Sequence, residues 1–325
     1  MAVEVLIKKT GGTEVMEVSQ KKLGENPEDN SVRIKHKAIG VNYIDTYHRD
    51  GTYPIKLPSV LGMEAVGKII KTGAGVRGFS VGDRVGYASL PLGSYCDERD
   101  YPSDKIVKIP DYISDVQAAS ILLKGMTVEY LFNRTYKLKE GEYFLFHAAA
   151  GGVGLLACQW SRAIGAKMIG TVSTKEKADL AKSLGCSYVI NYKKENVLER
   201  LMDITGNKGV SVVYDGVGKD TFETSIDCLE NRGLFVSFGQ SSGMIKNVNL
   251  HKVFAPKNLF YTRPSLIIYN KKREDFLKSA ERLFNLIKEK KIVVDNIKEY
   301  SLKDVKVAHE ELQSRKTVGS LVLIP

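Results

Sequence analysis

A chain of 325 residues, 43% apolar and 26% charged, with a net charge of +10, has the composition of a globular protein and length enough for two cores. No run approaches the roughly 20 apolar residues that cross a bilayer, and residues 1–6 lack the basic and apolar stretches of a secretory signal, so a cytoplasmic protein with no membrane partner is expected. Cys96, Cys158, Cys186 and Cys228 show no CxxC spacing and no nearby histidine pair, which argues against a zinc knuckle or a disulfide framework.

Residues 32–38, 65–72 and 84–87 alternate or run apolar between glycine turns at 73–75 and 82–83. They predict a compact β unit with few helices. The middle of the chain alternates. Strands are predicted over 143–147, 167–172, 188–191, 210–215 and 233–238, and helices over 153–164, 175–184, 197–205 and 220–229. Gly165, Gly185 and Gly206 stand just past three of these helices, where a left-handed residue closes a helix. Such alternation builds a parallel, doubly wound sheet. Beyond it Phe276, Ala280, Leu283 and Ile287 follow helical spacing, predicting an amphipathic helix over 273–290. A helix over 303–315 and a strand over 319–324 complete the chain. A strand placed last predicts a return to the first domain, with the doubly wound domain as an insertion.

One turn carries the chemistry. His147-Ala148-Ala149-Ala150-Gly151-Gly152-Val153-Gly154 lies between a predicted strand and a predicted helix. Gly151 and Gly152 let the backbone approach a pyrophosphate, and Gly154 lets the helix pack closely on the strand. The helix N-terminus then faces the phosphate charge. Sites for NAD place Asp or Glu about 20 residues further on, to accept from the ribose 2′-OH. Here the strand ends in Ser173 and Thr174, followed by Lys175 and Lys177. A carboxylate would repel a 2′-phosphate, whereas lysine attracts it, so NADPH is expected.

The turn at 148–154, together with Gly40-Val41-Asn42-Tyr43-Ile44-Asp45, Leu61-Gly62-Met63-Glu64-Ala65-Val66-Gly67 and Gly82-Asp83-Arg84-Val85, resembles the medium-chain dehydrogenase/reductase superfamily. Within it the chain is similar along its whole length to the zeta-crystallin branch, the NADPH:quinone reductases. The resemblance implies an α/β protein: a Rossmann doubly wound parallel sheet inserted in a GroES-like, mostly β catalytic domain. The implied domains are 1–124 and 263–325 for the catalytic part and 125–262 for the NADPH-binding part, with the cofactor cleft between them. It also implies a homodimer, paired along an edge strand near 258–262. Zinc-dependent relatives carry cysteine where this chain has Asn42, histidine where it has Met63, and a second cysteine near Leu123. Amide and thioether groups do not replace thiolate and imidazole, so no metal is expected and the substrate must already be electrophilic, as a quinone is.

The resemblance places Asn42, Tyr47 and Thr127 near the nicotinamide and its ribose, and Tyr47 and Tyr53 along the quinone slot; Asn42, Tyr47 and Tyr53 are the catalytic candidates. Gly151, Gly152, Val153 and Gly154 would hold the pyrophosphate. Ser173, Lys177 and Tyr192 would hold the phosphorylated adenosine. Val217, Phe238, Gly239 and Ser241 follow later strands, and Arg263 and Arg315 would reach the cofactor from the returning chain. Asp45 is read as the cap of a helix beginning at Thr46. The remaining lysines, Lys193 included, are read as solvated surface. The alternatives are reduction of an enone or enoyl thioester with the same cofactor, and an RNA-binding or structural role that the net charge allows but no RNA-binding motif supports.

Overall fold

The Ser31–Val41 strand organises the first half of the protein. It pairs antiparallel with Glu64–Thr72, with Glu98–Pro102 and with the last strand, Ser320–Ile324, on which Ile297–Ser301 lies parallel. Arg84–Ala88 and Val107–Lys108 extend the other side. Alternation, reset by the irregularity between His36 and Ala38, puts Val32, Ile34, Ile39 and Val41 in one buried cluster with Ile69, Val85, Tyr87, Leu321 and Leu323, where Val305 and Ala308 of the Val305–Gln313 helix also pack. A small three-stranded sheet of Ala2–Ile7, Met16–Lys21 and Ser59–Val60 stands beside it. The unit is less purely β than its sequence predicts. Tyr43–Asp50 is helical and the Asp115–Tyr130 helix begins in it, while Arg273–Lys288 is the helix expected over 273–290.

The computed structural model describes residues 1–325. They divide into two units: Met1–Met126 with Asn270–Lys288 and Val293–Pro325, and Thr127–Tyr269 with Glu289–Ile292. No helix is long and apolar enough to cross a membrane.

The second unit is a six-stranded parallel sheet. Its spatial order is Tyr188–Asn191, Lys167–Val172, Tyr143–Phe146, Val210–Asp215, Leu229–Ser237 and Phe260–Thr262. The chain runs outward from Tyr143–Phe146 in one direction, then restarts on its other side. That reversal is the topological switch point at which open α/β sheets bind ligands, beyond the carboxyl ends of the strands. Gly165 and Gly206 close their helices in the left-handed conformation, at φ 82° and 62°. The fourth helix is shorter than its apolar pattern predicts, Phe222–Cys228, and the next strand starts at Leu229 rather than at 233. Leu229 pairs with Val210 across a register shift, and Arg232 takes the bend at φ 64°.

Candidate active site: a dinucleotide cradle and a buried polar cluster

The strand Tyr143–Phe146 ends under the glycine turn. Ala148 stands at φ 57°, its carbonyl accepts from Gly151 N at 3.0 Å, and Gly151 caps the Gly152–Ile164 helix. The first hydrogen bond of that helix is Leu155 N to Gly151 O, 2.9 Å. By helix geometry the amides of Gly152, Val153 and Gly154 have no carbonyl upstream to bond. No acidic residue occupies the first turn, so these donors favour an anion. A Cβ at Gly154 would lie 2.4 Å from Ala148 O and 2.6 Å from Ala149 C. Only glycine lets the helix seat this close to the strand end, and the turn fits a pyrophosphate.

Beyond the end of the next strand, Lys175 and Lys177 have different surroundings. Thr174 caps the Lys175–Ser183 helix, accepting from Lys177 N at 3.3 Å. Lys175 is exposed and bridges to Asp179 at 2.6 Å, one turn down the helix. Glu176 turns its carboxylate to its own amide and to Thr174. Lys177 is half-buried, and burial together with the neighbouring Lys193 ammonium pushes its pKa down. Lys177 and Lys193 thus sense each other's charge near the strand end that Ser173 follows. Tyr192, half exposed, joins them, its amide donating to Val172 O at 3.1 Å. A 2′-phosphate would relieve this mutual repulsion. The signal for Lys193 was its place just past Tyr188–Asn191, at the ligand-bearing end of the sheet.

Asp215, fully buried, fixes the turns on the other side of the switch point. Its Oδ1 accepts from Val217 N at 2.7 Å and Gly218 N at 2.9 Å, and its Oδ2 from Thr221 Oγ1 at 2.7 Å and Ser225 Oγ at 2.8 Å. Because Ser225 donates to Asp215, His147 Nε2, 3.0 Å from Ser225 Oγ, carries the proton, and Nδ1 accepts from Thr171 Oγ1 at 3.1 Å. Phe238 packs at a tilt against Phe146, ring centroids 5.5 Å apart, and would collide with any side chain at Gly216. Gly239 N and Ser241 N bond Asp215 O and Gly216 O. Arg263 donates to Ser237 O, Gly239 O and Gln240 Oε1 at 2.8–3.0 Å, so its guanidinium knits the 237–240 turn. Thr127 is buried in the Asp115–Tyr130 helix.

In the first unit the Tyr43–Asp50 helix begins at the N-cap Asn42. Asp45 therefore does not cap a helix starting at Thr46. It is the third helical residue and reaches back, Oδ2 accepting from Asn42 N at 2.9 Å. Tyr95 OH also donates to this oxygen at 2.9 Å, and Tyr95 lies 2.9 Å from His309 Nε2. Arg49 Nη1 donates to His309 Nδ1 at 3.0 Å, so Nε2 is the protonated nitrogen. Burial and the Arg49 charge hold the His309 pKa down at about 3, while burial pushes the Asp45 carboxyl up to about 7. Tyr47 is buried and meets Tyr53 edge to face, ring centroids 5.2 Å apart, and Tyr43 at a tilt, 5.8 Å apart. Arg315, at φ 61°, acts by charge on Tyr43.

Behind Asn42 lies a cluster that sequence reasoning missed. Asn42 Nδ2 donates to Glu64 Oε2 at 2.8 Å, Leu123 N donates to Glu64 Oε1 at 2.7 Å, and Lys124 Nζ sits 4.0 Å from Oε2 and 3.3 Å from Val41 O. Asn42, Glu64 and Lys124 are all buried. A single lysine within the apolar run Ile121-Leu122-Leu123-Lys124-Gly125-Met126 was the available signal, because a buried ammonium needs a partner. Asp45 Oδ1 is a buried acceptor without a hydrogen-bond partner, and the Asn42 side chain faces the Asp45 amide across the capping box. An orphaned acceptor beside Tyr47 fits a ligand bearing hydroxyl or amide donors. The structure groups no three His, Cys, Asp or Glu side chains so as to hold a metal.

A GroES-like core joined in one chain to a nucleotide-binding sheet with a glycine cradle defines a medium-chain dehydrogenase/reductase. Residues 28–139 match the family described as alcohol dehydrogenase GroES-like domain, and residues 152–285 match the zinc-binding dehydrogenase family. The chain is 49% identical over 328 residues to quinone oxidoreductase 1 of Escherichia coli (strain K12), with all of both chains covered. It is 41% identical to a 2-haloacrylate reductase of a Burkholderia species, covering 100% of this chain and 99% of the relative. The crystal structure of Escherichia coli quinone oxidoreductase complexed with NADPH superposes with a TM-score of 0.97 at 49% identity, covering 99% of this chain and 100% of that one. The protein belongs to the quinone oxidoreductase family.

Proposed function

We propose that this protein reduces quinones with NADPH and needs no metal to do so. The observation that carries the reading is the end of the Lys167–Val172 strand, where Lys177 and Lys193 stand together in the region from which NAD sites present a carboxylate. NADPH, when bound, supplies the hydride. Gly151, Gly152, Val153 and Gly154 hold the pyrophosphate. Ser173, Lys177, Lys193 and Tyr192 hold the phosphorylated adenosine. Val217, Gly239 and Ser241 present the turns that Asp215 fixes, with Phe238 as the packed wall and Arg263 as the tie between them. Asn42, Tyr47 and Thr127 position the nicotinamide half, Tyr47 and Tyr53 offer flat faces to a planar substrate, and Arg315 closes on the cofactor from the end of the chain. A quinone accepts hydride without a Lewis acid because its product is aromatic, and water supplies the proton.

The proposed assembly is a homodimer. Phe260–Thr262 is the edge strand of the six-stranded sheet, and Phe260 and Tyr261 are 57% and 52% exposed on it. A bare edge with exposed aromatic rings favours pairing with a second copy. The proposed location is the cytoplasm.

The test is NADPH oxidation, followed by absorbance, with a naphthoquinone, an enone and a 2-haloacrylate in parallel. Turnover fastest with the quinone supports the reading. Turnover with the activated alkenes alone replaces the substrate class, and no turnover with any acceptor refutes it.

A further inference from the structure

The glycine turn begins by reversing the strand that leads into it. Along a parallel ladder, residues two apart bond the same neighbouring strand. Here His147 N bonds Tyr214 O on one side at 3.1 Å, and Ala149 N bonds Thr171 O on the other at 3.0 Å. Ala148 makes the change by standing at φ 57°, where an alanine Cβ crowds its own backbone. Its carbonyl then accepts from Gly151 N at 3.0 Å and lies where a Cβ at Gly154 would collide. The direction of the Gly152, Val153 and Gly154 amides is therefore set at Ala148. The reversal also takes Ala148 N away from any ladder carbonyl, and the Thr171 hydroxyl accepts from it instead, at 3.3 Å.

A buried chain of side chains aims that hydroxyl. Asp215 Oδ2 accepts from Ser225 Oγ at 2.8 Å, which uses the serine proton. Ser225 Oγ then accepts from His147 Nε2 at 3.0 Å. Burial keeps the imidazole neutral, so Nδ1 is bare and takes the Thr171 proton at 3.1 Å. With its proton committed, Thr171 Oγ1 offers Ala148 only lone pairs. All four side chains are buried.

We infer that Thr171, oriented through His147 and Ser225 by Asp215, clamps Ala148 in its left-handed conformation and so aims the Gly152–Gly154 amides at the cofactor pyrophosphate. Thr171 and His147 are positioning residues that act through Ala148. The other oxygen of Asp215 holds Val217 N and Gly218 N, so one carboxylate fixes turns on both sides of the switch point. The inference rests on the NADPH reading above.

Thr171→Val removes the hydroxyl and keeps the branched shape, whereas Thr171→Ser keeps the hydroxyl. Adding Ala148→Gly to Thr171→Val gives the turn a residue that reaches the left-handed region without a clamp. The readouts are Kd for NADPH, for 2′-phospho-ADP-ribose, which keeps the pyrophosphate but lacks nicotinamide, and for adenosine 2′-monophosphate, which lacks the pyrophosphate, with kcat for a naphthoquinone at saturating NADPH. Thr171→Val is expected to weaken NADPH and 2′-phospho-ADP-ribose alike, about tenfold, with adenosine 2′-monophosphate and kcat within about twofold of wild type. Thr171→Ser and the double variant are expected to bind NADPH within about threefold of wild type.

Unchanged NADPH binding in folded Thr171→Val overturns the inference. So does an equal loss for adenosine 2′-monophosphate, which would mean general loosening of the unit, or a double variant no tighter than the single. If Thr171→Val does not fold, the double variant is read against Ala148→Gly: equal binding of 2′-phospho-ADP-ribose supports the clamp, and a deficit of about tenfold overturns it. In wild type, the nitrogen-15 shifts of His147 are expected to show a protonated Nε2 and a bare Nδ1, and a proton on Nδ1 overturns the inference. A wild type that binds neither NADPH nor 2′-phospho-ADP-ribose refutes the functional reading instead.

Discussion

Each unit buries an aspartate at the end of a hydrogen-bond chain that runs through a neutral histidine. In the nucleotide unit Thr171, His147 and Ser225 donate in series into Asp215. In the other, Arg49, His309 and Tyr95 donate in series into Asp45. The ends differ. Asp215 receives four donors, two of them backbone amides, and its work is finished in the free protein. Asp45 Oδ1 is left without a partner, and beyond Glu64 the Asn42 side chain meets only the Asp45 amide of the capping box. One unit is a cradle of fixed backbone, complete before any ligand arrives. The other is a site of side chains whose free acceptor awaits one.

The largest expected effect sharpens that contrast. Asp215→Ala strands two buried amides and two hydroxyls and is expected to cost about 3–5 kcal/mol in denaturant unfolding, whereas Asp45→Ala, which removes two donors' acceptor, should cost about half as much. Equal losses would break the comparison. Next in size is the pH dependence of the His309 chain. His309 stays neutral in the folded protein down to about pH 3, while an unfolded histidine protonates near its usual value of 6.5. The unfolded state therefore binds the extra proton, and the stability contributed by neutral His309, present above about pH 6.5, is lost as the pH falls below it. Between pH 7 and pH 5 the loss from this one group is about 2 kcal/mol, so His309→Gln should flatten the stability profile over that range by this amount. An unchanged slope would mean that burial and the Arg49 charge do not hold the imidazole neutral. The smallest effect belongs to the glycine turn. Ala148 stands in the left-handed region, and Ala148→Gly should raise stability by about 0.5–1 kcal/mol in thermal or denaturant unfolding, unless relief of that strain loosens the cradle.

The same contrast explains what could be read from sequence. The nucleotide unit was legible because its site is local: a glycine turn, a strand end and a lysine follow one another within about 30 residues. Period and glycine punctuation also placed Lys167–Val172, Tyr188–Asn191 and Val197–Thr205 at their observed bounds. The cluster around Asn42 was not legible, because Asn42, Glu64, Lys124 and His309 come from four distant segments joined only by sheet register and helix packing. Glu64 lay inside a quoted motif, yet its inward turn depends on the absent side chain of Gly40 across the strand pair. Asp45 was misplaced for a local reason. An aspartate ahead of an apolar helix reads as a cap, but Asn42, three residues earlier, takes that position and leaves Asp45 to close the box from within the first turn. Lys177 was separated from Lys175 only by the resemblance; the structure adds a local reason, the bridge that ties Lys175 to Asp179 one turn away.

The central claim is that the strand end bearing Lys177 makes this a reductase that prefers NADPH. It is tested most directly by kcat/KM for NADPH and for NADH, with one naphthoquinone, in wild type and in Lys177→Ala. The expected result is a wild-type preference for NADPH that falls about tenfold or more in the variant through a raised KM for NADPH, with the NADH values little changed. Equal use of both cofactors by wild type, or equal losses for both in Lys177→Ala, would contradict it.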